Sequence, residues 1–182
     1  MTATRCPDLD GDGVPDCLQS LVPNGDFATG ITGWKPDQGV YESFSSADAE
    51  GTAQSGSLLI NNAVTSNATS GPITAGGSMC LSETTAMGYE VYLEVAPGPS
   101  TGGFAQAGVA VSYFPSLDCS GPQGGVAPTT LLDGSVGGWH VLQQILQPVA
   151  GTNSMLVRLV VVKGAADAAV QGSFDNVLIR PR

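Results

Sequence analysis

The stretch Asp8-Leu9-Asp10-Gly11-Asp12-Gly13-Val14-Pro15-Asp16 sets four carboxylates within nine positions of the chain. Carboxylates at alternate positions of a tightly turning loop converge on one centre, and calcium is a hard cation that takes six to eight oxygens at about 2.3–2.6 Å. Asp8, Asp10 and Asp12 stand at the first, third and fifth positions of such a loop. Gly13 is sixth, where the chain turns sharply, Val14 offers its carbonyl at the seventh, and Asp16 takes the ninth, directly or through water. Without a cation these aspartates repel one another, and the alternative reading is a disordered acidic tail.

Gln19 stands at the twelfth position, where an EF-hand carries a bidentate Glu, and no helix is evident on either flank. The run ending in Asp16 and followed by Cys17 instead resembles the calcium repeats of thrombospondin type 3, over roughly a dozen residues. That resemblance implies an irregular segment, residues 1–20, held together by Ca2+ and a Cys6–Cys17 bridge, because it has almost no apolar content of its own.

The chain has 4 cysteines and a single histidine, His140. No CxxC spacing points to zinc or a redox motif, and disulfides are the better reading. Three connectivities are open. Pairing Cys6 with Cys17 and Cys80 with Cys119 closes each loop inside one structural unit. Cys80 and Cys119 bracket the apolar runs Tyr89 to Val95 and Ala105 to Phe114, so their bridge is expected to pin the ends of a hairpin. Disulfides with few Lys and Arg point to an oxidising compartment, secreted or cell surface, and the composition has a bacterial look. Met1 to Cys6 contains no apolar leader core, so any signal peptide is read as already removed.

The elements that would position these residues follow from composition. The 182 residues carry 16 acidic against 6 basic side chains, a net charge of −10. That length suits one domain with a small appendage. So few cations cannot hold a phosphate backbone, which excludes nucleic acid and anionic membrane surfaces as partners. No run approaches the roughly 20 apolar residues that cross a bilayer, so no membrane insertion is expected. A neutral ligand, a cation or another protein remains. The sequence has no GxSxG, HExxH or phosphate-cradling GxxxxGK motif. Glu90 and Glu94, four apart on a strand, would stand about 13 Å apart, too far even for an inverting glycosidase pair. The expectation is a non-catalytic protein.

From Leu21 onward short apolar segments alternate with clusters of Gly, Pro, Ser, Thr and Asn, the pattern of many strands joined by turns. Strands are expected at Gly39 to Ser45, Ser57 to Ile60, Gly88 to Val95, Ala105 to Phe114, Trp139 to Gln147, Met155 to Val162 and Ser173 to Ile179. In the fourth of these Val109, Val111 and Tyr113 share one face and Gly108, Ala110 and Ser112 the other. A short helix over 141–147 is the competing reading there. Seven or more strands with Gly- and Pro-rich turns predict an all-β fold, a two-sheet antiparallel β-sandwich over residues 21–182.

Asn24-Gly25-Asp26-Phe27, the later Gly33-Trp34 pair and Phe174-Asp175-Asn176-Val177 near the other end resemble the opening and last strand of carbohydrate-binding modules with a galactose-binding-like jelly roll. Gly138-Trp139 followed by Pro148-Val149-Ala150-Gly151 matches their late strand and turn. The resemblance implies a jelly roll with a structural calcium remote from the ligand site, where the first and last strands lie side by side. Asp175 would be its main ligand, with backbone oxygens near Asp26 and near Gly56. The competing reading has Asp175 capping a turn or pairing with Arg180 or Arg158. It also implies that Phe27, Trp34, Trp139 and Phe174 are core. Neutral glycans are held by aromatic faces and planar polar side chains. Tyr41, Phe44 and Tyr113 are the aromatic candidates, with Gln106 and Glu90 as polar companions. The expected function is therefore a secreted, calcium-stabilised protein that binds a neutral glycan or polysaccharide. The alternative is a structural or adhesive surface protein that self-associates into a layer or fibre with calcium as cement.

Overall fold

The computed structural model describes residues 13–14, 19–36, 40–51, 55–64, 72–82, 88–98, 105–165 and 169–182. Asp8, Asp10, Asp12, Asp16, Cys6 and Cys17 lie outside these, and Val14 is exposed. The strands are β1 (Lys35–Pro36), β2 (Val40–Ser45), β3 (Ser57–Asn62), β4 (Pro72–Leu81), β5 (Tyr89–Pro97), β6 (Ala105–Phe114), β7 (Gly125–Val126), β8 (Thr130–Asp133), β9 (His140–Leu146), β10 (Ser154–Gly164) and β11 (Val170–Pro181). They form two antiparallel sheets. One runs β1-β4-β10-β6-β7, with β8 also on β6, and the other β2-β3-β11-β5-β9. The fold is the two-sheet β-sandwich that the turn-punctuated pattern predicts. Residues 141–146 are strand and not helix, since β9 pairs in register with β5 from Leu146 opposite Tyr89 to His140 opposite Val95.

Alternation decides what lies between the sheets. β5 buries Tyr89, Val91, Leu93 and Val95, β6 buries Ala107, Val109 and Val111, and β10 buries Met155, Val157, Leu159 and Val161. Leu58, Ile60, Phe174 and Ile179 fill the middle of the facing sheet. Each such buried Val, Leu, Ile, Met or Phe side chain contributes about 1.5–3 kcal/mol. Phe27 and Trp34 join this core with their rings 6.2 Å apart, whereas Trp139 is only half-buried. Tyr113 is 1% exposed, on the inner face with Val111, and this removes it from the binding-face candidates. Alternation required one of Tyr113 and Phe114 to face inward, and the interior took the tyrosine.

The apolar runs at 89–95 and 105–114 do not form the expected hairpin. β5 and β6 belong to different sheets, and their apolar faces meet across the core rather than edge to edge. The Cys80–Cys119 bridge is formed, with Cα atoms 5.9 Å apart, and it joins β4 to the turn after β6 over a separation of 39 residues. Closing a loop of that length stabilises by about 4 kcal/mol in the chain-entropy account.

The segment ahead of β1 lies beside β11. Leu21 N donates to the Ile179 carbonyl at 2.7 Å and Val177 N donates to the Gly25 carbonyl at 2.8 Å. A Cβ on Gly25 would strike the Val177 carbonyl, so glycine is what permits this approach. Thus the two motifs near opposite ends of the sequence become neighbours in space.

Candidate functional site

The site is built where β11 breaks its pairing. Against β5 the register passes from Asp175 opposite Glu94 to Leu178 opposite Tyr92, so Asn176 and Val177 form a bulge. Asn176 takes φ 48°, a left-handed conformation that Asn tolerates better than most residues. Its backbone N–H donates to Asp175 Oδ1 at 2.7 Å, and its side-chain amide donates to Glu50 Oε1 at 2.7 Å and Glu94 Oε2 at 2.6 Å. From the turn between β2 and β3, Ala49 N donates to Asp175 Oδ2 at 3.0 Å. Asp48 in the same turn accepts from the Ser55 hydroxyl.

Asp48, Glu50 and Asp175 thereby bring carboxylate oxygens within 4.8 Å of one another, with Asp48 and Asp175 buried. Among the described residues no lysine or arginine pairs with Asp175; Arg180 bonds Glu90 instead, at 3.0 Å. Burial pushes the Asp175 carboxyl up to about 8, with Asp48 and Glu50 adding to the rise while the Ala49 and Asn176 N–H groups oppose it. Glu50 is raised too, chiefly by burial. Carboxylates gathered out of water without a cation are costly, and a divalent ion is the usual compensation. Ser57 supplies a separate sign. It sits one step along from the Phe174–Leu58 pair, on the strand next to Asp175 and facing the same side. It is fully buried, and its hydroxyl has no hydrogen-bond partner among the described residues. An all-oxygen donor set with an orphaned hydroxyl beside it fits a hard cation such as calcium, which Asp48, Glu50 and Asp175 would hold.

Asp175 was named from the sequence, and Asp48 and Glu50 were not. The only local signal is an Asp-x-Glu pair ahead of Gly51, which is too common to single out. Asp26 Oδ1 accepts from Ala28 N at 3.3 Å, and Gly56 packs against the Ser45 carbonyl and the Phe44 ring.

The same sheet presents its outer face beside this cluster. Pairing aligns Tyr41, Asn61 and Gln171, then Ser43, Leu59, Ser173 and Ala96, then Asp175, Glu94 and Val141. Beyond the bulge come Leu178, Tyr92 and Gln143, then Arg180, Glu90 and Ile145. Tyr41 is 71% exposed, and Asn61 Oδ1 next to it is buried with no partner among the described residues. Tyr92 is half-buried and its phenol is pushed up to about 12 by burial, with Glu94 and Glu50 adding.

The sequence candidates therefore divide. Tyr41 and Glu90 share this face but stand on β2 and β5, with β3 and β11 between them. Phe44, opposite core residue Leu58, has the other parity and flares past Gly56 at the sheet edge. Gln106 is on the outer face of the other sheet, between Val162 and Asp133. Tyr92, Glu94 and Asn176 are the residues that the sequence reading passed over.

No protein-family model matches the sequence, and no curated protein matches it. Solved structures do. The CBM22-1 xylan-binding domain from Paenibacillus barcinonensis superposes with a TM-score of 0.58 at 17% identity, covering 86% of this chain and 91% of that one. TmCBM61, solved in complex with β-1,4-galactotriose, gives 0.56 at 15% identity, covering 90% and 99%. The enzymatically active domain of bacteriophage CBA120 tailspike protein 4 gives 0.61 at 12% identity over 90% of this chain, which spans only 22% of the tailspike chain. At these identities the likeness is one of fold: the sandwich is that of carbohydrate-binding modules.

Proposed function

We propose that this chain is a secreted, non-catalytic, calcium-stabilised module that holds a neutral glycan across the outer face of its five-stranded sheet. The observation that carries the reading is Tyr41, an exposed aromatic ring standing in one row with the amides of Asn61 and Gln171. A ring with planar polar neighbours matches the alternating apolar faces and hydroxyl edges of a pyranose. Five strands at the usual spacing give a face about 19 Å wide, enough for several sugar units. The carboxylates of Glu50, Glu90 and Glu94 and the overall charge of −10 disfavour acidic polysaccharides. Calcium at Asp48, Glu50 and Asp175 would tie the β2–β3 turn to β11 beside this face.

Titration calorimetry against a panel of neutral polysaccharides, with calcium present, tests the reading. At least one should bind, and Tyr41→Ala should weaken it by about tenfold or more, which is about 1.4 kcal/mol. No binding anywhere in the panel removes the glycan assignment.

A further inference from the structure

Asn176 gives both protons of one amide to two carboxylates, Glu50 at 2.7 Å and Glu94 at 2.6 Å. Glu50 belongs to the cation cluster. Glu94 stands instead on the sheet face, in one row with Val141 and two residues from Tyr92, which shares that face. The cluster is marked as a ligand site by more than its acidity, since the buried Ser57 hydroxyl on the adjoining strand is also without a partner among the described residues. A single side chain thus links the cation cluster to the sheet face. The bulge that carries it is fixed from the other side by the Val177 N–H to Gly25 carbonyl bond, so Asn176 has little freedom to follow one carboxylate and leave the other.

We propose that Tyr92 and Glu94 are sugar-contacting residues and that a cation at Asp48, Glu50 and Asp175 sets their position through Asn176. The proposal rests on the glycan reading above. With a divalent ion neutralising its neighbours, Glu50 stays where Asn176 can bond it. The other amide proton then holds the Glu94 carboxylate in place beside the Tyr92 phenol. Carboxylate oxygens are strong acceptors for hydroxyl protons, and the Tyr92 ring supplies an apolar surface alongside. With the ion removed, Asp48, Glu50 and Glu94 repel one another around a single amide. The β2–β3 turn and Glu94 then move apart.

Two variants test this by separate readouts. Asn176→Gly keeps the left-handed backbone without strain and removes the amide, and Glu94→Gln keeps shape while removing charge. In the unaltered protein, adding calcium alone should shift the NMR signals of Tyr92 and Val141, and chelation should weaken glycan binding by about tenfold or more. Asn176→Gly should still bind calcium, lose the Tyr92 shift, and show less than about a twofold dependence of glycan affinity on calcium. Glu94→Gln should bind calcium normally and bind glycan about tenfold more weakly. Tyr92 and Val141 shifts as large in Asn176→Gly as in the unaltered protein would overturn the proposal. So would glycan affinity indifferent to a calcium ion shown to be bound. If the whole panel fails to bind, the glycan reading falls on its own, and the calcium-induced Tyr92 shift still decides whether the cluster and the face are linked.

Discussion

The two sheets bury their inner faces by the same rule, yet their outer faces have little in common. On the six-stranded sheet the paired rows read Ser78, Arg158, Ala110, then Gly76, Val160, Gly108, then Thr74, Val162, Gln106. No aromatic ring stands among these nine, and Val160 is fully buried between two glycines. The five-stranded sheet turns out Tyr41, Tyr92, Asn61, Gln171, Glu90 and Glu94. A continuous ladder gives an outer surface nothing to build on but strand alternation. A broken one does more, because the bulge at Asn176 and Val177 lifts a left-handed residue out of register and brings the β2–β3 turn down onto Asp175. The buried acidic cluster lies where regular pairing fails.

The largest expected effect comes from removing the centre of that interruption. Asp175→Asn should abolish the difference in melting temperature between calcium and chelator. In the unaltered protein calcium at 1,000 times its Kd stabilises by about 4 kcal/mol, which for a chain of this size is roughly 10 °C. A difference that persists in the variant would place the ion elsewhere. Trp34→Ala, by contrast, should lower the melting temperature equally with and without calcium.

Acidity should produce the next effect. In chelator Asp175 keeps its proton in the folded state up to about 8, well above the ordinary value of 3.8 for an aspartate. Between those values the unfolded chain has already lost the proton, so stability falls as pH rises and levels off above about pH 8. Saturating calcium, which needs the ionised carboxylate, should remove or reverse that slope. Melting temperatures across pH 4 to 8 in both conditions check the sign.

A smaller effect separates the faces directly. Tyr41→Ala should weaken glycan binding by about tenfold, with melting temperature nearly unchanged because the ring is exposed. Gln106→Ala, on the opposite face, should leave glycan affinity where it was. Equal losses from both would mean that the glycan does not choose between the sheets.

Much of the fold was legible. The strand expected over 105–114 has the bounds of β6, and those around 89, 140, 155 and 173 correspond to β5, β9, β10 and β11, since each is a run rich in apolar residues set between turn residues. β4 was not, because Pro72, Gly76 and Gly77 read as a turn. Gly77 lies there to make room for the Glu42 carboxylate, which reaches across from β2, and Gly76 sits against the Leu159 carbonyl of β10. Only the neighbouring strands explain those glycines. β1, β7 and β8 are too short to display any period. At the site, the Phe-Asp-Asn-Val motif pointed to Asp175. Nothing within the chain near residue 48 announced that it would meet residue 175.

Alternation and turn chemistry are local properties, and the sequence by itself therefore determined the all-β class and most strand positions; loop closure favoured the Cys80–Cys119 bridge, and the resemblance of the Phe-Asp-Asn-Val motif singled out Asp175. Tertiary structure alone decided its partners. It placed Asp48, Glu50 and Ser57 around Asp175, put Tyr113 inside and Tyr41 outside, and set β5 and β6 in opposite sheets. Carboxylates distant along the chain are held together by the closed core, because the hydrophobic burial that orders the strands is what offsets the cost of crowding like charges.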